Sequence, residues 1–93
     1  MGAANIVRLQ NDYGVTFPLW VDNRVAVRDD LNISSGLRDS ISEWASSFNA
    51  GYDPFRGWEN EIMANVHAAT AVDLVRRLRD ELGDGYAIDL VLW

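Results

Sequence analysis

The chain has no cysteine, no lysine and only one histidine, His67. Without thiols there is no disulfide, no thiolate metal site and no cysteine nucleophile. Without lysine there is no Schiff base. A serine nucleophile needs a base, so His67 alone must carry any such pairing. Long apolar runs are missing too: nothing approaches the roughly 18 residues of a membrane span. Residues 1–15 contain no basic stretch leading into an apolar one, so no secretion signal reads there, and the expectation is a cytoplasmic protein with no membrane partner. Positive charge is scarce. Eight arginines face fourteen carboxylates, for a net charge of −6. Nucleic-acid binding works by neutralising phosphates, so nucleic acid is not an expected partner, whereas a basic protein is.

What is present suits one small globular domain spanning 1–93. The composition is 48% hydrophobic and 11% aromatic, and no repeat or linker interrupts it. "NIVRLQ", 5–10, alternates as a strand, with Val7 and Leu9 on one face and Ile6 and Arg8 on the other. "VTFPLWVDNRVAV", 15–27, follows with Val15, Phe17, Leu19 and Val21 in phase, and Asp22-Asn23 is placed to close a hairpin. Pro18 lacks an N–H, which predicts that this arm is an edge strand or an extended segment.

Ser34 is suited to cap a helix over 34–48, whose apolar stripe is Leu37, Ile41, Trp44, Ala45 and Phe48. A longer helix is predicted over 58–82, stopped by Gly83. It shows two adjacent apolar stripes, one of Ile62, Val66 and Ala69 and the other of Met63, His67, Ala71, Leu74, Leu78 and Leu82. So wide a band predicts two neighbours, the first helix and a sheet. "YAIDLVLW", 86–93, is apolar on both faces, which predicts a covered or interior strand pairing with 6–10, with Arg8 opposite Asp89. The predicted fold is α+β, a two-layer domain in the order ββ(β)ααβ.

Groups able to do chemistry are few. His67 sits on the apolar side of the long helix, where a histidine held in the core is the ordinary outcome. Glu59 and Glu61 diverge by about 200° on a helix and cannot chelate together. "GDG", 83–85, lies between helix and strand, the reverse of a phosphate-binding order. No metal, cofactor or catalytic set is therefore expected, and the composition argues against an enzyme. Asp39 and Glu43 stand one turn apart on the first helix; with Asp29 and Asp30 they form the acidic ridge expected to meet a basic partner.

Segment 48–59, "FNAGYDPFRGWE", places Tyr52, Phe55 and Trp58 beyond Phe48 among turn residues. Such rings either plug the open end of a two-helix layer or form a recognition surface with Arg56. The spacing favours a plug that leaves one or two rings exposed.

Together "DYGVTFPLW" (12–20), "YDPFRGW" (52–58) and "LRDELGDG" (78–85) resemble a set of small acidic actinobacterial proteins with an Asp-Tyr-Gly…Trp-Pro-Leu-Trp opening and a later Asp-Pro…Gly-Trp. Phe17 stands where that pattern has Trp. The resemblance implies a shared fold and carries no known activity. Three functions remain. The first is a non-enzymatic interaction module, in its most concrete form an immunity- or antitoxin-like inhibitor of a basic protein. The second is a homodimer joined through the Trp20 arm or the aromatic loop. The third is a small-molecule binder or minor enzyme with a pocket near His67.

Overall fold

The computed structural model describes residues 5–12, 14–22, 24–26, 31–53 and 55–92. Strand β1 (Asn5–Gln10) lies at the centre of the chain's pairing. It runs antiparallel to β2 (Leu19–Val21) and parallel to β6 (Tyr86–Val91), while β2 pairs with β3 (Arg24–Val25). The sheet order is β3-β2-β1-β6. Helices α1 (Ser35–Gly51) and α2 (Glu61–Leu82) form the second layer. Between them β4 (Tyr52–Asp53) and β5 (Gly57–Trp58) make a small hairpin. The α+β architecture, the two helices and the β1–β6 pairing are as the sequence predicts, and Arg8 does register with Asp89.

Alternation decides the layers. Val7, Leu9, Leu19, Val21 and Ile88 point inward and are buried against Leu37, Ile41, Leu74 and Leu78 of the helices. The parallel β1–β6 pair requires a crossover, which the whole helical layer supplies.

Both helix starts are explained by their caps. Ser34 accepts from the Leu37 N–H, as expected, and its own N–H and hydroxyl donate to Glu81 at 2.5 and 2.8 Å, which fixes the start of α1 to the end of α2. These bonds to the charged form hold the Glu81 carboxyl below its usual range. Asn60 accepts from the Met63 N–H, so α2 begins at Glu61 and not at Trp58. Gly83 ends α2 at a φ of 71°, a conformation glycine adopts without a side-chain clash.

Two strand expectations need correction, and a third stands. The Pro18 arm is not at the sheet's edge: β2 begins immediately after Pro18 and lies between β1 and β3, and the Pro18 carbonyl accepts from the Gln10 N–H at 3.1 Å. The missing N–H thus falls just outside the strand. Conversely, β6 is an edge strand whose Ala87, Asp89 and Val91 face is exposed, because the helices cover only one side of the sheet. The Asp22–Asn23 turn is consistent with the Val21↔Arg24 pairing, and Asp22 has a positive φ of 49°; Asn23 itself, and Val27 of the predicted return arm, lie outside the described residues.

Candidate functional site

The two helices run antiparallel. Ser40 accepts from Arg77 at 3.1 Å near the start of α1, Trp44 stacks on His67 further along, and Gly51 reaches Met63 at its end. A Cβ on Gly51 would lie 2.6 Å from Met63 Cε and 3.1 Å from the Trp58 ring, so a glycine here lets the end of α1 close onto β5 and α2.

Around His67 the chain builds an aromatic nest. The Trp44 ring lies 4.4 Å from the imidazole and nearly parallel to it, and the Trp44 indole N–H donates to the His67 carbonyl at 3.0 Å. Trp58 packs 4.6 Å from the same imidazole. Phe48 stacks on Tyr52 at 5.0 Å and meets Trp58 edge-on at 6.0 Å. Each such pair contributes roughly 0.5–1.5 kcal/mol beyond its burial.

His67 is 8% exposed, and its Nε2 lies 3.0 Å from the Asn11 side-chain amide nitrogen. With that amide donating, Nε2 accepts and the neutral ring carries its proton on Nδ1, which has no partner among the described residues. Burial pushes the His67 pKa down to about 4, so the ring is neutral at pH 7. It is an acceptor and a stacking surface there, not a cation.

A groove of about 420 Å³ opens over this nest between α1 and α2. Trp44, His67 and Leu74 form its base, Ser40, Glu43 and Ser47 border it from α1, and Ile62, Val66 and Thr70 border it from α2. This is where the predicted stripe of Ile62, Val66 and Ala69 departs from expectation. Ile62 is 75% and Val66 60% exposed, and Ala69 is exposed too, because α1 and the sheet are both taken up by the His67–Leu78 side of the helix. The stripe has no neighbour within the described residues.

The structure brings only some of the predicted binding residues together. Glu43 and Trp58 reach the groove. Asp39 is exposed on α1 without lining it, and Asp29 and Asp30 lie outside the described residues. Tyr52 and Arg56 border a second hollow at the end of α1, which Trp58 also borders. Phe55 is the ring that the plug leaves out: it is 95% exposed at the tip of the β4–β5 hairpin. That tip is set by Asp53, whose Oδ1 accepts from the Phe55 and Arg56 N–H groups at 2.7 and 3.1 Å. Tyr52 and Trp58, by contrast, are half-buried and do close the end of the helical layer.

Sequence reasoning missed the Asn11–His67 contact, which joins residues 56 apart, and for which the spacing gives no signal. It also missed Ile62 and Val66 as surface. Their signal was present in the stripe, but read as a core face.

Compared with known protein families, residues 5–91 match the model described as Serratia CdiI immunity protein-like. The chain belongs to that family. The match is consistent with an immunity-type module. The comparison with curated proteins gives no match. An immunity-like family implies binding to a partner protein, a toxin, so the surfaces above are considered as protein-contact surfaces. No helix among the described residues is long and apolar enough to cross a membrane.

Proposed function

We propose that this chain is a non-enzymatic, immunity-type inhibitor that silences a basic partner protein by covering it with the acidic, part-aromatic side of the helical layer. One observation carries the reading beyond the family: the Glu43 carboxylate borders a largely apolar groove and has no ion pair among the described residues. Neighbouring charges are already engaged. Asp73 and Asp80 bind Arg76 at 2.6 and 3.6 Å, and Arg77 binds Ser40. Against a net charge of −6, Glu43 with the exposed Asp39 above it steers a cationic surface to this side.

The test is capture from native lysate at low salt, using wild type beside an Asp39→Ala/Glu43→Ala variant, followed by affinity measurement on the recovered protein. The expected partner is basic, its Kd weakens about tenfold or more between 50 and 300 mM salt, and the variant weakens binding and flattens that salt dependence. Binding indifferent to salt and to both substitutions would remove the proposal.

A further inference from the structure

We propose that the α1–α2 groove receives one amphipathic, cationic helix of the partner, its apolar face on Trp58, Ile62 and Val66 and an arginine or lysine on Glu43. The proposal rests on the immunity-type reading and specifies what that partner presents.

The groove's chemistry selects the occupant. It lies between two helices, whose backbone N–H and C=O groups are already spent on themselves, and only Trp58 of the two-residue strand β5 joins its lining, so it offers chiefly side chains. A segment entering it must satisfy its own backbone, which a helix does and an added strand does not. Ile62 and Val66 are spaced i, i+4, the interval at which a second helix interleaves its own ridges. From residue 62 to residue 77 the groove follows about 22 Å of α2, room for roughly four turns of a partner.

Polarity runs along it. Trp58, Ile62 and Val66 lie at one end, and Asp73 and Arg77 at the other, with Glu43 between. A helix seated here places its apolar residues toward β5, its cation at the centre and its polar end toward Arg77. The exposed outer face of the sheet is a poorer candidate. Its Trp20 ring already carries the Arg8 guanidinium at 5.4 Å, and Arg8 and Asp89 interrupt the apolar Ile6 and Val91 on either side.

Two measurements test this. First, affinity for the recovered partner is compared among wild type, Ile62→Glu/Val66→Glu, and Val72→Glu. Val72 is 63% exposed on α2 but does not line the groove, so it controls for charge on the same helix. The double variant should weaken Kd by about 30-fold or more, the size of a hot-spot loss, with its melting curve preserved, and Val72→Glu should leave Kd within about twofold. Second, a synthetic 16-residue helix with leucine on one face and arginine on the other is titrated into 15N-labelled protein, beside the same peptide with glutamate for arginine. The arginine peptide should shift the amides of Glu43, Ser47, Val66 and Thr70, and the glutamate peptide should bind at least tenfold more weakly.

Equal binding of both peptides, or shifts confined to β1 and β6, overturns the groove assignment. If Asp39→Ala/Glu43→Ala loses the partner while Ile62→Glu/Val66→Glu keeps it, the groove falls and the immunity-type reading stands. If no basic partner is retained but the arginine peptide fills the groove, the groove stands and the immunity-type reading falls.

Discussion

Two stretches of one helix have opposite fates. On α2, Leu74 and Leu78 are sealed in the core, whereas Ile62 and Val66, about two to four turns earlier, stand in solvent. Their hydrophobicity is similar; their neighbours are not. Leu74 and Leu78 meet β1, β6 and the Leu37–Ile41 side of α1, while the Ile62–Val66 side rises above the groove that α1 leaves open. Periodicity specifies which residues share a face. Whether that face has a neighbour depends on the number of layers, and a layer with two helices runs out of neighbours on its outer side. In a family defined by partner binding, the face without one is the informative one.

The largest effect expected from breaking this contrast is on the buried side. Trp44→Ala removes a stacked ring, an indole hydrogen bond to the His67 carbonyl and much of the α1–α2 contact, and should cost about 3–5 kcal/mol of unfolding free energy in denaturant titration.

Next comes pH. His67 has a folded pKa of about 4 against an ordinary 6.5, so the unfolded chain binds the extra proton between those values. Its contribution is intact above pH 6.5 and is lost progressively as pH falls to about 4, on the order of 3 kcal/mol in all. His67→Gln should lower stability at pH 7 and flatten the profile across that window, read by denaturant midpoints at several pH values.

Gly51→Ala is smaller. Met63 can swing its terminal methyl away, but the Trp58 ring must give by a few tenths of an ångström, so a loss of about 1 kcal/mol with a changed near-ultraviolet signal is expected. Smallest of all, Ile62→Glu and Phe55→Ala should leave stability within about 0.5 kcal/mol, since both side chains already face water. A loss of more than 2 kcal/mol from Ile62→Glu would show that the exposed stripe is packed after all.

Much of the fold was legible from local chemistry. The Ser34 cap, the Leu37–Phe48 stripe, the Gly83 stop and the Arg8–Asp89 register all follow from residue type and spacing. Two edges were assigned the wrong way round for one reason. Pro18 and the two-sided apolarity of 86–93 describe a strand's own groups, whereas position in a sheet depends on which strands arrive beside it. The site was half legible. Glu43 and Trp58 were identified and converge on the groove, but Asn11 meets His67 only through the fold, and spacing did not say which ring of the aromatic segment would stay exposed, which is Phe55.

The most direct test of the central claim is hydrogen–deuterium exchange of the chain alone and bound to its captured partner. The account predicts added protection along 40–47 of α1 and 62–73 of α2, with the sheet unchanged. Protection confined to β1 and β6, with both helices exchanging as in the free protein, would contradict it.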